Sequence, residues 1–470
     1  MDLDVRGSKE TDILSLCTDS KVASPGSLFI AKKGGSHNGV DFLEDAVQAG
    51  ATALITPLYN PFLKVPQIVC PHPEQIEAEL ALRFYERPSD ELFVVGVTGT
   101  KGKSTTTYLI QHLLSHCGLI GTVETITGGE RRASSFTTPF PIELQKLLRE
   151  MRNKKDAAVS MEVSSHGVAQ NRIEGIEFDA AVFTNLAPDH LDYHTTLEEY
   201  ALAKKGLFQR LDQSKKSHKR AIFNGDHPWT PFMREGIQTP VWTFGFGPQN
   251  DVRATDLAFD AKGSTFTLCF EGKKTKIRTP LLGKFNVSNA LAAIGVALHR
   301  GEPIEKIATF HQVPGRLERV ANDRGIWAFV DFAHTGESME NVLQTMREFV
   351  TGKIILVFGA GGDRDPRRRF DMGKVANQLA DRVFITSDNP RTEDPMTICQ
   401  EIHSMFCSQK EVEIIVDRRD AIQKAVNVAK SGDVVLVVGK GHEKVQIFGR
   451  MTIPFDDVEV LREALYRNNT

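Results

Sequence analysis

Val94-Val95-Gly96-Val97-Thr98-Gly99-Thr100-Lys101-Gly102-Lys103-Ser104-Thr105-Thr106 runs an apolar strand straight into a glycine-rich turn ending in Gly-Lys-Ser-Thr. Glycines let successive backbone N–H groups turn inward onto an anion, and a helix that follows aims its positive end at the same point. The stretch predicts a nucleotide-phosphate cradle and an enzyme that consumes ATP. Lys103 reaches the β/γ-phosphates and the Ser104 hydroxyl ligates Mg2+, with Gly99, Thr100, Lys101, Gly102 and Thr105 around them. Val97 stands where the general P-loop has its first glycine, so the pattern is Thr-Gly-Thr-x-Gly-Lys-Ser/Thr. Taken alone, the segment also reads as an ordinary strand-to-helix turn.

Outward from this loop, 470 residues exceed what one core supports, so two to four domains are expected. Hydrophobic residues make up 41% and charged residues 25%, the balance of a soluble globular protein. A net charge of −3 gives no reason to expect a nucleic-acid or membrane surface. The six cysteines have neither CxxC nor metal-ligand spacing, which fits free thiols in a reducing compartment. The first residues carry no basic-then-apolar leader and no run is long enough for a membrane helix, so a cytoplasmic protein is expected.

Residues 1 to 88 contain short β-like runs (Ser27 to Ile30, Ala53 to Ile55, Gln67 to Val69) and an amphipathic stretch from Phe42 to Ala49, a small α/β domain. Arg87-Pro88-Ser89 breaks the pattern. From 89 to 312, strands at Phe93 to Val97, Ala157 to Met161, Ala180 to Thr184 and Ala221 to Phe223 alternate with helical patterns, which predicts a mostly parallel sheet. Val252 to Pro280 reads as an antiparallel addition and Asn286 to His299 as a closing helix. From 313 to 470, strands at Trp327 to Asp331, Lys353 to Phe358, Arg382 to Thr386, Glu413 to Val416 and Val434 to Val438 predict a second, doubly wound Rossmann-like sheet. Ligands gather at strand carboxyl ends in such sheets, where this chain has 359–365, 387–391 and 439–443.

Glu162 and the segment Asn185 to His190 each follow an expected strand. Glu162 offers Mg2+ a hard oxygen, against the alternative of a solvated carboxylate. His190 and His194 have zinc-like spacing, but Pro188 and Asp189 argue for a loop.

The ordered set TGTKGKSTT, MEVSSH, TNLxxDHLDYH, AKxxLF, GKFNVSNALAA, PGRLE, DFAHT, GGDRD and GKGHE resembles the Mur ligases, ATP-dependent amide-forming enzymes of peptidoglycan stem-peptide synthesis. The resemblance spans essentially the whole chain. It implies three domains and an acyl-phosphate reaction. Lys103, Glu162, His190 and Lys204 are implied as the catalytic set, with Ser104, Glu162, His190 and Lys204 at Mg2+. Lys204 is implied to carry a CO2-derived carbamate, which converts a cation into an oxygen ligand. Its other reading is a plain helix-surface lysine. The resemblance assigns Asn289 to adenine, Arg316 to phosphate and Asp331 to ribose, with closure around the nucleotide. Ser20, Thr137, Thr138, Ser164, Gln170 and Arg172 are implied to bind UDP-N-acetylmuramoyl-L-Ala-D-Glu.

The Asp388-Asn389-Pro390-Arg391 motif is similar to that of members adding meso-diaminopimelate, whose far carboxylate suits an arginine fork. By that resemblance Arg364, Asp388, Asn389, Pro390, Arg391, Gly439 and Glu443 hold the amino acid. Lys21 and Lys101 replace a family Arg and Asn, Gly336 and Glu337 replace Pro and Asp, and Phe370 stands where proline is common. Rival readings are a lysine-adding member, a folylpolyglutamate-synthase-like enzyme and a catalytically silent scaffold. The expected partners are small molecules alone, and the expected state is a monomer.

Overall fold

The computed structural model describes residues 4–34, 37–260, 262–407 and 409–466. The chain is α/β, with a small N-terminal sheet, a central mostly parallel sheet that carries the phosphate loop, and a C-terminal doubly wound sheet. By packing it divides into two compact units, residues 1–103 with 114–242, and residues 104–113 with 243–470.

In the first unit, β1 (Asp4–Arg6), β2 (Ser15–Cys17), β3 (Ser27–Ile30), β4 (Ala51–Thr56) and β5 (Gln67–Val69) lie in the order β1-β5-β4-β3-β2, with only β1 antiparallel. Strand periodicity sends alternate residues to opposite faces. Leu28, Ile30, Ala53 and Ile55 therefore pack with α2 (Pro73–Phe84), whereas Phe29 and Leu54 pack with Leu43 and Ala46 of α1 (Leu43–Gln48).

The central segment runs β6 (Phe93–Thr98), α3 (Lys103–Leu113), β7 (Cys117–Ile120), β8 (Glu124–Thr127), β9 (Glu130–Ala133), α4 (Pro141–Asn153) and β10 (Ala158–Glu162). It continues with α5 (Ser165–Ala169), β11 (Ala180–Phe183), α6 (Leu191–His194), α7 (Leu197–Gln213), β12 (Arg220–Asn224) and α8 (Thr230–Arg234). Its strands in this unit follow the order β12-β11-β6-β10-β7-β8-β9, parallel from β12 to β7 and antiparallel at the β8-β9 edge. Val94, Val159, Met161, Ala181 and Phe183 bury one face against Leu144 and Leu148 of α4 and Leu207 and Phe208 of α7.

β13 (Val241–Gly245) pairs in parallel with β14 (Val252–Asp260) through Phe244 and Gly245. In the second unit β14, β15 (Gly263–Phe270) and β16 (Lys273–Thr279) form the antiparallel addition, followed by α9 (Lys284–Arg300). Residues 104–113 belong here because Thr106 Oγ1 lies 3.5 Å from Asn289 Oδ1 and the His112 ring is 2.8 Å from Lys306 O.

The C-terminal sheet comprises β17 (Glu318–Val320), β18 (Trp327–Asp331), β19 (Ile354–Phe358), β20 (Arg382–Ile385), β21 (Glu411–Ile414) and β22 (Val434–Val438). They lie in the order β17-β18-β22-β19-β20-β21, parallel apart from β17. Both faces are covered, so the strands read as continuous apolar runs. Ile354, Leu356 and Phe358 meet α10 (Gly336–Phe349), α11 (Arg367–Leu379) and α12 (Pro395–His403). Ile355 and Val357 meet α13 (Arg418–Val428) and α14 (Asp457–Tyr466), which follows the hairpin β23 (Val445–Phe448) and β24 (Met451–Pro454). β21 starts two residues before the expected Glu413, because edge pairing of Arg382 with Glu411 sets its register. Among the described residues no helix is long and apolar enough to cross a membrane.

Candidate active site

β6 delivers Gly99 into the phosphate loop at φ +151°, where a Cβ would sit 2.0 Å from Thr184 Oγ1. Only glycine fits that approach. The residues after β11 hold the loop through its backbone. Asn185 Oδ1 accepts from Lys101 N (2.9 Å), Asn185 Nδ2 donates to Lys101 O (2.9 Å), and Asn185 O accepts from Thr100 N (2.9 Å). Thr184 Oγ1 adds a bond to Lys101 O (2.6 Å). Lys103 Nζ donates to Gly99 O (2.8 Å) and Thr100 O (3.0 Å), which places its charge over the turn.

Lys204, on α7, is 1% exposed and also donates Nζ to Gly99 O (2.9 Å), 4.2 Å from the centre of the Tyr200 ring. Burial first, and then the Lys103 charge, hold its ammonium well below the ordinary lysine range, and Asp189 offsets only part of this. The surface-lysine reading is therefore excluded: this is a buried amine pushed toward its neutral form.

Glu162 ends β10 opposite Val97 of β6 and is 1% exposed. Its side chain accepts from Thr122 N (2.8 Å) and Thr122 Oγ1 (3.0 Å), both neutral donors, and among the described residues it forms no ion pair. That fits a divalent cation, and it removes the solvated-carboxylate alternative. His190 takes φ +55° and is followed by α6, so His190 and His194 bracket a short helix and not a loop; His194 N donates to His190 O (3.0 Å). The His190 and His194 rings lie 5.0 and 5.5 Å from that of His166. Among the described residues no group of three or more His, Cys, Asp or Glu assembles to hold a metal.

Beside Glu162, the acceptor-binding candidates form one network. Thr122 Oγ1 lies 3.0 Å from Thr137 Oγ1, and Thr138 Oγ1 donates to Glu162 O (2.9 Å) and accepts from Ser164 N (3.0 Å). Arg172 donates to Thr138 O (2.7 Å) and to Gln170 Oε1 (2.6 Å), with its guanidinium 3.9 Å from the centre of the Phe140 ring. Ser20 is half-buried at the start of a short turn capped by Asp19, in the N-terminal sheet region, and is not bonded into this network.

In the second unit, Arg316 Nη2 lies 3.5 Å from Ser104 Oγ, and its guanidinium is 4.7 Å from the centre of the Phe332 ring. Asn289 Nδ2 donates to Asn286 Oδ1 (3.2 Å). Asp331 accepts from Leu317 N (2.6 Å) and Ala333 N (2.7 Å), so it anchors the turn that carries Arg316. Gly336, where proline is usual, opens α10 behind a Thr335–Ser338 capping box that holds the turn.

The loops after β19, β20 and β22 meet as the doubly wound topology predicts. Asn389 Nδ2 donates to Glu443 Oε2 (2.9 Å), and Gly362 N donates to Asn389 O (2.9 Å). Arg391, at φ +52°, donates Nη1 to Gly362 O (2.7 Å). Gly439, at φ +114°, lets its loop approach Asp388; a Cβ there would lie 2.5 Å from Asp388 Oδ2. Arg364 is exposed on the 359–365 turn. Sequence reasoning gave no individual role to Asn185, Tyr200 or Lys440, although Asn185 opens the segment expected near the phosphate loop and Lys440 lies in the 439–443 stretch. Asn185 and Lys440 each carried a signal, their place just after an expected strand.

Family models match at residues 97–297, the Mur ligase middle domain, and at 315–441, the Mur ligase glutamate ligase domain. A UDP-N-acetylmuramoyl-L-alanyl-D-glutamate–2,6-diaminopimelate ligase of Gloeobacter violaceus is 41% identical over 100% of this chain and 97% of its own length. The ligase of the same name from Chlamydia pneumoniae is 41% identical over 97% and 95%. A solved structure of a ligase with that name superposes with TM-score 0.67 at 32% identity, covering 96% of this chain and 94% of the other. An ADP complex of the MurF ligase of Thermotoga maritima, at 19% identity and TM-score 0.69 over 98% and 99%, shares the fold.

Proposed function

The chain belongs to the Mur ligase family, and we propose that it is the member that joins the D-Glu γ-carboxylate of UDP-N-acetylmuramoyl-L-Ala-D-Glu to an amine of meso-diaminopimelate. It is an ATP-dependent ligase. The single observation that carries the choice of amino acid is the meeting of Asn389, Arg391 and Glu443 at one end of the C-terminal sheet, beside full-length similarity to ligases named for diaminopimelate.

The chemistry follows from the reactivity of the acceptor. A carboxylate does not acylate an amine, so its oxygen first attacks the γ-phosphorus of ATP and releases ADP. The amine then attacks the acyl carbon, loses a proton, and the tetrahedral intermediate expels phosphate. Both steps ask mainly for positioning and charge neutralisation. The backbone N–H groups of 99–105 and Lys103 take the phosphates, Arg316 a further phosphate oxygen, Asn289 the adenine and Asp331 the ribose. Ser104, Glu162, His190 and a carbamylated Lys204 would hold Mg2+, which would supply positive charge to the phosphates. A depressed lysine favours that modification, because CO2 adds to the free amine and not to the ammonium. Thr137, Thr138, Ser164, Gln170 and Arg172 hold the acceptor, with Ser20 toward its uridine end. The domain limits proposed are 1–88, 89–312 and 313–470, in a cytoplasmic monomer.

The test is phosphate release from ATP with Mg2+ and the UDP-dipeptide, with meso-diaminopimelate, L-lysine or no amino acid, and product mass determined. Release and tripeptide only with diaminopimelate is the expected result. Lysine dependence sinks the choice of amino acid, and silence throughout sinks the reaction. Arg391→Ala is expected to raise the diaminopimelate KM roughly 10- to 100-fold, the worth of one charge-assisted fork. An unchanged KM removes Arg391 from the site.

A further inference from the structure

Between the glycines of the 439–441 turn stands Lys440, whose side chain is fully buried. Its Nζ donates to Glu443 Oε2 (3.0 Å) and Asn389 Oδ1 (3.2 Å), and lies 3.9 Å from Asp388 Oδ1. Asn389 Oδ1 also accepts from Ile447 N (3.1 Å), so both of its lone pairs are engaged and the amide nitrogen is turned onto Glu443 Oε2. Oε2 is taken twice, and among the described residues Glu443 Oε1 and the second Asn389 amide proton are left for another partner. Two carboxylates, Asp388 and Glu443, surround one buried ammonium.

We propose that Lys440 is the positioning residue of the amino-acid site, its ammonium setting Asn389 and Glu443 so that the amide N–H meets a carboxylate of the incoming amino acid and the Glu443 carboxylate oxygen meets its ammonium. The inference rests on the assignment of Asn389, Arg391 and Glu443 to diaminopimelate. Without Lys440 the amide is free to flip and Glu443 to swing away, while the chemistry at the acyl phosphate keeps its own groups.

The experiment is steady-state kinetics of full-length Lys440→Met and Lys440→Arg, with diaminopimelate, ATP and UDP-N-acetylmuramoyl-L-Ala-D-Glu each varied. Lys440→Met is expected to raise the diaminopimelate KM roughly 10- to 100-fold. The kcat and the other two KM values should stay within about twofold, because uniform substrate binding alone is lost. Lys440→Arg, which keeps the charge, should recover part of the affinity. An unchanged diaminopimelate KM overturns the proposal, and so does an equal rise in all three KM values, which marks a merely structural lysine. If Lys440→Met does not fold, Lys440→Gln is judged by the same criteria. Arg391→Ala separates the two readings. If it raises the diaminopimelate KM and Lys440→Met does not, the site stands and the positioning role fails; if neither does, the site assignment falls and the proposal with it.

Discussion

Lys204→Met is expected to lower turnover by on the order of 10³-fold, as loss of a preorganised electrostatic group does, and at the same time to raise the melting temperature in CO2-depleted buffer. The two effects share one cause. Lys204 is buried, faces the Lys103 charge and donates to Gly99 O, so its folded-state amine is a weaker base than in the unfolded chain. The sign follows from linkage. Below the unfolded lysine value the unfolded chain binds a proton that the folded protein resists, so the residue costs stability. That cost fades as pH rises toward the unfolded value. The gain in melting temperature from Lys204→Met is therefore larger at pH 7 than near pH 10. Bicarbonate should raise both turnover and melting temperature of the parent enzyme, since a carbamate turns repulsion from Lys103 into attraction, and should leave Lys204→Met unmoved. A variant that loses activity by unfolding, or a parent indifferent to bicarbonate, contradicts the assignment. Calorimetry and phosphate release in matched buffers decide it.

Legibility in the sequence followed locality. The phosphate loop was readable because strand, turn and helix are contiguous, and because Gly99 must be glycine for a reason confined to a few residues. The Thr138–Ser164–Arg172 network was reachable only through the family resemblance, since its members lie far apart along the chain. Asn185 reads as one polar residue after a strand, and its clamp on Lys101 depends on β11 lying beside β6. Lys440 lay in the 439–443 stretch marked for ligands, but its own role was invisible for the same reason. Its partners Asp388 and Asn389 follow β20, whereas it follows β22, and only the order β22-β19-β20 brings those loops together. Edge strands were least legible. Glu411–Ile414 is half-covered, so its apolar pattern is weak and pairing decides the register.

Asp457→Ala is expected to destabilise the second unit by about 3–5 kcal/mol, the range for stripping one partner from a buried ion pair. Arg418 and Asp457 are both 0% exposed at the side chain, with Nε to Oδ1 at 2.8 Å and Nη2 to Oδ2 at 2.7 Å. Burial alone would lower the guanidinium's basicity, but attraction to Asp457 outweighs it. Arg418 also donates to Val438 O (2.9 Å) and Ser387 O (3.3 Å), the backbone positions just before Gly439 and Asp388. The pair therefore tethers the first turn of α14 to the strand ends from which the amino-acid loops spring. Removing the carboxylate leaves the buried guanidinium hydrogen-bonded to two carbonyls, with only the unbonded Asp388 and Glu443 as counter-charge. Urea unfolding followed by Trp327, with Trp229 and Trp242 replaced by phenylalanine, reports on this unit alone. Because the cost lies in the unpaired charge, replacing both partners together, Arg418→Met with Asp457→Leu, should recover most of the stability. If the double variant is no better than Asp457→Ala, the loss comes from packing of α14 and not from the stranded charge. If Asp457→Ala costs under about 1 kcal/mol, the pair is no more than an exposed one.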